Sequence, residues 1–390
     1  MFKVLCCTLL IPFFSLTIAH AETTYKIVDT GVINFYNDTA IIQEPQPTEP
    51  FWGQDAHYQT NKPSYSDNRD GTVTDKVTGL MWQEVMDEKM SYDQAKAYAS
   101  NSTLGGYNDW RIPSIKELYS LILFTGQVKG QKAITPFIDT QYFEQPLGDK
   151  QKGEREIDAQ TWSSTEYVGK TMNNDETVFG VNFVDGRIKG YPKNDPRTHE
   201  PKQMYFRLVR GNPQYGENQF VDNGNGTVTD LATGLMWQKK DNTQGVDWKD
   251  ALDYAKKLNV GGHSDWRLPN AKELQSIVDY SRSLQTSKTA AIDPIFVTTT
   301  IKDPNGAKQF PYFWTSTTHQ DGRNPYSSAV YIAFGAAQGV MRSNLMDVHG
   351  AGSQRSDPKS GNESDYPQNF GPQGDVRYVF NYVRCVRNID

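Results

Sequence analysis

Cysteine is scarce in this chain of 390 residues, which excludes a disulfide framework. Its three cysteines are Cys6, Cys7 and Cys385, and the first two lie in an N-terminal stretch that we expect to be removed. The one remaining thiol cannot form an intramolecular bridge, so apolar cores must hold the mature protein together. About 370 residues are enough chain for two or three domains of ordinary size.

Long apolar runs are also rare, and the longest opens the chain. Residues 1–21, MFKVLCCTLLIPFFSLTIAHA, combine one cation at Lys3 with an apolar stretch and a small-x-small ending. This pattern predicts a signal peptide cleaved after Ala21. The apolar stretch is too short for a comfortable transmembrane span, so we expect no membrane anchor. The protein is therefore expected in the periplasm, at the cell surface or outside the cell.

Positive charge is in deficit. Without Lys3 the mature chain carries 39 Lys and Arg against 46 Asp and Glu, a net charge of −7. A protein of this charge lacks the general attraction to phosphate backbones that nucleic-acid-binding proteins have. We expect no nucleic-acid partner.

Catalytic signatures are missing too. The mature chain keeps five histidines and contains neither a His-Glu-x-x-His nor a Gly-x-Ser-x-Gly motif. Cys385 lies in an apolar context whose counterpart in the first repeat is Leu208, which favours a buried, unreactive thiol. We expect a non-enzymatic protein without a cofactor, and a hydrolase with an unrecognised site stays as an alternative.

The chain does contain an internal repeat, which indicates a duplicated domain. The copies are about 150 residues long, which is too long for the units of a solenoid. Four blocks recur in the same order: DNRDGTVTDKVTGLMWQ (67–83) and DNGNGTVTDLATGLMWQ (222–238), GGYNDWRIPSIKEL (105–118) and GGHSDWRLPNAKEL (261–274), TWSST (161–165) and FWTST (313–317), FRLVR (206–210) and VRCVR (383–387).

The repeat divides the mature chain into three parts. We predict a first domain over residues 65–211 and a second over 217–390, each with its own core, joined by the short linker GNPQYGEN. Residues 22–64 form an N-terminal segment with a Pro-rich run, QEPQPTEP, and we expect it to pack in part on the first domain.

Each copy has the same order of predicted elements: a hairpin, two helices, then strands alone. The hairpin turn is DNRDG or DNGNG, whose residues tolerate positive φ. Ser91 and Ser114 are predicted to cap the helices of the first copy, and Asp247 and Asn270 those of the second. Helices kept apart from antiparallel strands define an α+β fold.

Long polar stretches separate the later strands. Residues 191–203 and 343–375 contain Gly, Pro, Asn and charged residues with little periodicity. They predict surface loops, and loops of this length often bind ligands. The predicted strands themselves are 161–164, 179–183 and 206–210 in the first copy, and the stretch around Trp314, 330–334 and 383–387 in the second.

The DNRDG turn has a superficial likeness to a calcium loop. Aligned on its glycine, the ligand positions hold Ser66, Asn68, Asp70 and Val77, whereas an EF-hand needs acids and a final Glu. A plain turn is favoured over a metal site.

Taken together, the repeated motifs DGTVTD…TGLMWQ, DWRLP…KEL, W-[ST]-S-T and VRCVR resemble the C-terminal domain family of the Legionella collagen-like adhesin, a bacterial domain of unknown function. The resemblance covers about 65–211 and 217–390. It implies two tandem C-type lectin-like domains, each with two helices packed on a looped antiparallel sheet. The namesake adhesin binds sulfated polysaccharides, but neither copy has the Glu-Pro-Asn and Trp-Asn-Asp motifs of calcium-dependent lectins, and the usual disulfides of that fold are absent.

Two sets of repeated residues allow a structural or a functional interpretation. Arg111 and Arg267, each after Asp-Trp, are expected to pair with a carboxylate or the backbone, with anion binding as the alternative. Six repeated tryptophans are expected in the cores, with sugar stacking as the alternative. They are Trp82, Trp110, Trp162, Trp237, Trp266 and Trp314.

The long polar stretches and the residues beside them supply the candidate ligand-binding residues, which are basic side chains in an acidic protein. A solvated loop surface is the plain alternative. We expect a binding or adhesion protein for a polysaccharide or another envelope component, with a structural envelope protein that contacts protein partners as the runner-up. The sequence leaves the oligomeric state open. The candidates are Lys189, Lys193, Arg197 and Lys202 in the first copy, and Arg342, Arg355, Lys359 and Arg377 in the second.

Overall fold

The computed structural model describes residues 23–129, 132–366 and 369–389. The predicted signal peptide, residues 1–21, lies outside these ranges. None of the helices found within them is long and apolar enough to cross a bilayer.

The N-terminal segment and the first repeat are built mainly from short strands. The segment holds β1 (Phe35–Tyr36), β2 (Ile41–Ile42) and a 3₁₀ turn, Asp55–His57. The first repeat comprises β3 (Tyr65–Asp67), β4 (Thr72–Asp75), β5 (Met81–Gln83), α1 (Tyr92–Asn101), α2 (Ile115–Ser120), β6 (Gln127–Lys129), β7 (Lys132–Thr135), β8 (Thr161–Glu166), β9 (Thr177–Asn182), β10 (Arg187–Pro192) and β11 (Val209–Arg210).

The second repeat follows the same order and adds a hairpin. Between its second and third sheet strands it inserts β19 and β20, which the first repeat lacks. It comprises β12 (Phe220–Asp222), β13 (Thr227–Asp230), β14 (Leu235–Gln238), α3 (Trp248–Lys257), α4 (Ala271–Ser276), β15 (Ile301–Lys302), β16 (Lys308–Gln309), β17 (Tyr312–Thr318), β18 (Ser328–Ala333), β19 (Gln338–Met341), β20 (Asn344–Asp347), β21 (Gln354–Pro358), β22 (Asn369–Phe370), β23 (Asp375–Val376) and β24 (Val386–Asn388).

The predicted turns and caps form. β3 and β4 pair across the DNRDG turn, and β12 and β13 pair across DNGNG. Ser91, Ser114 and Asn270 each complete a capping box with the residue three positions on, and the Asp247 side chain accepts from the Asp250 amide. The α+β class predicted from the sequence is confirmed, since few helices accompany many antiparallel strands.

A six-stranded sheet joins the two repeats, with strand order β17-β18-β21-β10-β9-β8. Each repeat contributes three strands, and the third strand of each, β10 and β21, pair antiparallel with Ile188 opposite Gln354. The arrangement has approximate twofold symmetry about the β10–β21 contact. It corrects the prediction of surface loops: residues 354–358, inside the stretch 343–375, are a central strand, and β10 extends to Pro192.

The largest apolar cluster draws on both repeats, in addition to a smaller cluster within each of them. The cluster lies on the sheet face that α2 and α4 cover, and it includes Leu118 and Val181 of the first repeat and Leu274 and Val330 of the second. Smaller clusters on the opposite face belong to one repeat each, around α1 and around α3. The molecule therefore has one shared core and two private ones.

The N-terminal segment contacts the first repeat, where the Phe124 amide donates to the Thr30 carbonyl, and it also makes extensive contacts with the second repeat, which the sequence did not predict. The buried Asp55 carboxylate accepts from Thr317 Oγ at 2.5 Å, and Lys272 Nζ donates to the Asp29 carbonyl at 3.0 Å. The Tyr36 ring stacks on Tyr326. Because this segment contacts both repeats, it helps to hold them together.

The repeated tryptophans and arginines have structural roles, as expected. All six tryptophans are buried, none more than 4 % exposed. Arg111 pairs with Glu117 through two hydrogen bonds of 2.5 and 2.6 Å, and Arg267 pairs with Glu273 through two of 2.6 and 2.7 Å. Each pair fixes the start of the second helix of its repeat to the preceding loop.

Candidate functional site

A groove of about 340 Å³ lies where the two repeats meet, on the sheet face opposite α2 and α4. The pairing of the central strands determines which residues form its floor. Tyr331 of β18 lies opposite Arg355 of β21. Ile188 of β10 lies opposite Gln354, so its neighbour Arg187 lies beside Arg355. Since side chains alternate along a strand, these three share the face that does not carry the shared core. Both repeats therefore contribute to one groove, which we call the central groove.

Two arginines of the floor are held by carboxylates. Arg187 pairs with Asp321 and lies 3.3 Å from the Asp185 carboxylate. Arg355 pairs with Asp375, whose other oxygen is 2.7 Å from His349 Nε2. Burial alone would raise the pKa of Asp321, but the Arg187 guanidinium outweighs it and lowers that pKa to about 2. These two arginines are neutralised by their partners and shape the floor.

Two other arginines in the groove keep free donors. Arg323 is exposed and has no ion-pair partner among the described residues. Arg377 lies over the Phe370 ring, with Cζ 3.5 Å from the ring centroid, and its Nε is buried without a hydrogen-bond partner in the described parts of the chain. Burial lowers the pKa of Arg377, which the nearby Asp357 partly offsets. A buried donor without a partner is costly, and no carboxylate of the described residues forms an ion pair with this guanidinium.

Aromatic rings also line the central groove. Tyr331, Tyr366 and Phe370 line it, and Tyr366 is fixed by a 2.6 Å hydrogen bond from its hydroxyl to the Ser360 carbonyl. Aromatic faces together with guanidinium donors suit a ligand that has apolar C–H faces and anionic or hydroxyl acceptors. Burial raises the pKa of Asp357 to about 6, so this carboxyl contributes little negative charge under mildly acidic conditions.

A serine and a histidine also meet at the edge of the groove. His319 Nδ1 is 2.8 Å from Ser356 Oγ, and His319 Nε2 is 2.9 Å from the Asp185 carbonyl. Burial, aided by Arg187, lowers the pKa of His319 to about 4. An imidazole with so low a pKa is a weak proton acceptor at neutral pH, so the pair is poorly suited to activating the serine.

Comparison with protein families decides the identity of the repeats. The model of the Lcl C-terminal domain matches residues 71–210 and again residues 226–349, more than half of the chain. The chain belongs to the Lcl C-terminal domain family. The resemblance drawn from the repeated motifs is thereby confirmed, and the chain contains two adhesin-related domains. No curated protein and no solved structure matches the chain.

The two Lcl C-terminal domain matches contain only part of the central groove. Arg187 lies in the first match, and Arg323 and Tyr331 lie in the second. Arg355 and Arg377 follow the end of the second match at residue 349. The groove therefore combines family-matched strands with the C-terminal stretch that comes after them.

The four candidates in the second repeat do not form one cluster. Arg355 and Arg377 line the central groove, but Arg342 lies exposed in the turn between β19 and β20, outside the groove lining. Lys359 is buried: its Nζ donates to the Asn37 carbonyl at 2.9 Å and lies 4.2 Å from the Trp248 ring centroid. Lys359 therefore helps to attach the N-terminal segment.

The four candidates in the first repeat lie outside the groove lining. Lys189 is on the same sheet face as Arg187, 3.7 Å from the Asp185 carboxylate, and burial lowers its pKa to about 8. Lys193 pairs with Glu166 at 2.9 Å. Arg197 is exposed, and Lys202 is half-buried.

The sequence interpretation missed Arg187 and Arg323. Arg187 opens the alternating stretch Arg187, Lys189, Tyr191, a period of two that predicts a strand face, but the polar character of the stretch suggested a loop. Arg323 lies in the turn between β17 and β18, and no sequence signal indicates that this turn faces β21.

Proposed function

We propose that the protein is an exported, non-enzymatic binding protein whose central groove recognises an acidic polysaccharide. The observation that carries the proposal is the pair Arg323 and Arg377, two guanidinium groups without carboxylate partners in the described residues, beside the rings of Tyr331, Tyr366 and Phe370. The signal-like residues 1–21 and the adhesin-related family support export.

We also propose that each repeat has a C-type lectin-like fold over the predicted bounds 65–211 and 217–390. Each repeat begins with a hairpin, continues with two helices and ends in a strand that returns to the hairpin, β11 to β5 and β24 to β14. This return brings the two ends of a repeat together, as the proposed fold requires. In the second repeat, the loop between β17 and β18 and the stretch after β21 line the central groove.

A glycan array with the full-length protein tests the proposed ligand class. Sulfated or uronic-acid polysaccharides should give signal, and neutral glycans of matching length should give little. The double variant Arg323→Ser, Arg377→Ser should lose most of that signal, because charge-assisted hydrogen bonds are about twice as strong as neutral ones.

Arg342→Ser is the matched control, since it removes one exposed arginine of the second repeat outside the groove. It should leave the array signal unchanged. Equal binding to neutral and acidic glycans, or a double variant that binds as the wild type does, would refute the proposed site. Arg355 and Lys359 are left intact because both are buried, Arg355 in an ion pair with Asp375 and Lys359 in a hydrogen bond to the Asn37 carbonyl.

A further inference from the structure

The N-terminal segment lies in a site between the repeats, where each repeat donates one hydrogen bond to it. On one side, Thr317 Oγ donates to the Asp55 carboxylate at 2.5 Å, while accepting from the Ala271 amide at 3.0 Å. On the other side, the Phe124 amide donates to the Thr30 carbonyl at 2.9 Å. The first donor belongs to the second repeat and the second donor to the first repeat.

The approximate twofold symmetry generates a second site with the same donors. Thr165 is the counterpart of Thr317, and its Oγ accepts from the Ile115 amide at 2.9 Å in the same way. Tyr280 is the counterpart of Phe124, because the residues just before them make equivalent backbone hydrogen bonds. The Leu123 amide donates to the Phe137 carbonyl, and the Asp279 amide donates to the Ala291 carbonyl.

At this second site both donors are free. In the described parts of the chain, the Thr165 hydroxyl has no acceptor and the Tyr280 amide has no partner. Instead of a peptide segment, a cavity of about 440 Å³ lies between them, with both residues in its lining. The linker between the repeats lines one side of the cavity, where Lys116 Nζ donates to the Gly216 carbonyl at 2.8 Å, as Lys272 Nζ donates to the Asp29 carbonyl in the occupied site.

We propose that this cavity, the open counterpart of the site that the N-terminal segment fills, binds a peptide segment of another protein. The peptide presents a main-chain carbonyl to the Tyr280 amide and a carboxyl side chain to the Thr165 hydroxyl, as Thr30 and Asp55 do in the occupied site. Lys116, in the lining, supplies positive charge near the carboxyl group.

The charges of the cavity favour a peptide over a polyanion. Glu217, Asp279 and Asp293 line it together with Lys116, so a ligand with many negative charges is repelled. A peptide with a single acidic side chain avoids that repulsion and uses the two free donors. The site is separate from the central groove and does not depend on polysaccharide binding.

The probe is a fluorescein-labelled synthetic peptide with the sequence of residues 23–60, titrated into the full-length protein and followed by fluorescence polarisation. We expect one peptide per protein. Thr165→Val should weaken binding about tenfold, the worth of a hydrogen bond to a charged group. Thr165→Ser, which keeps the hydroxyl, should bind as the wild type does. A peptide with Asp55 replaced by Ala should lose affinity to the same extent as Thr165→Val.

Further variants separate this site from the others. Thr317→Val, the matched change in the occupied site, should leave peptide affinity unchanged, as should the groove variant Arg323→Ser, Arg377→Ser. Ser281→Trp fills the cavity from an exposed position without touching Thr165, and should abolish binding even if Thr165→Val proves unstable. Absence of binding by the wild type, or a loss that follows Thr317→Val and spares Thr165→Val, would overturn the proposal.

Discussion

At the scale of single residues, the arginines repeated in the closing motif have a structural role in both copies. Arg207 and Arg384, the matching arginines of FRLVR and VRCVR, are fully buried and donate to main-chain carbonyls. Each ties the closing strand of its repeat to the end of the hairpin. The sequence showed that these residues recur, but the carbonyls that they bind come from distant segments that no local pattern identifies.

Asp55 makes the attachment of the N-terminal segment sensitive to pH. Burial raises the pKa of this carboxyl from 3.8 to about 7, although hydrogen bonds from Thr317 and Thr30 act in the opposite direction. The folded protein thus holds the proton more tightly than the unfolded chain. The contribution of Asp55 to the free energy of unfolding is fully present below about pH 4 and is lost as the pH rises towards 7.

Asp55→Asn should remove that dependence, because an amide does not titrate. Urea denaturation at several pH values between 4 and 7.5 measures it. The wild type should lose stability relative to the variant as the pH rises, by at most about 1.4 kcal/mol per pH unit. The remaining titrating groups are common to both proteins and cancel in the difference. Parallel stability curves across this range would contradict the assignment.

At the scale of elements, the sequence predicts caps, turns and helices well and the junction of the repeats poorly. Helices and hairpins are set by local chemistry, such as the Ser114 cap and the DNRDG turn. Strands β10 and β21 are rich in polar residues, and besides pairing with β9 and β18 of their own repeats they pair with each other at Ile188 and Gln354. Strand pairing between residues far apart in the chain leaves no local sequence pattern. The stretch 343–375, which contains β21, was therefore predicted to be a loop.

The junction depends on close approach of two backbones. The Gly190 amide donates to the His349 carbonyl at 2.8 Å, and a Cβ at this position would lie 2.7 Å from that oxygen and 2.5 Å from Thr177 Cγ2. Gly190→Ala should therefore destabilise the protein by about 1 to 3 kcal/mol, the usual cost of overpacking. Thermal melting followed by circular dichroism measures the effect.

Gly153→Asn is the control for the glycine substitution. Gly153 has a φ of +76°, which Asn tolerates, and its Cβ would meet no atom within 4 Å. The control should melt within a degree or two of the wild type. A Gly190→Ala variant as stable as this control would show that the two strands are not held so closely.

At the scale of the whole molecule, duplication has produced one unit with a shared core and a groove at its centre. The sequence revealed the duplication and the family, and it placed Arg355 and Arg377 among the candidates. It did not reveal that both repeats line one groove, because that depends on edge-to-edge pairing of β10 with β21. The sequence also did not reveal that the N-terminal segment contacts the second repeat as well as the first, because Asp55 and Thr317 are far apart in the chain.

The central claim is that two unpaired arginines in the central groove bind an acidic polysaccharide. The most direct test is the affinity of the full-length protein for an acidic polysaccharide identified on the array, measured by titration calorimetry at several salt concentrations. Because the protein carries net negative charge, attraction must come from groups within about 8 Å at physiological ionic strength. Wild-type and Arg342→Ser proteins should bind with affinity that falls steeply as salt rises, whereas Arg323→Ser, Arg377→Ser should bind weakly with little salt dependence. An unchanged salt dependence in the double variant, or no binding by the wild type at low salt, would contradict the claim.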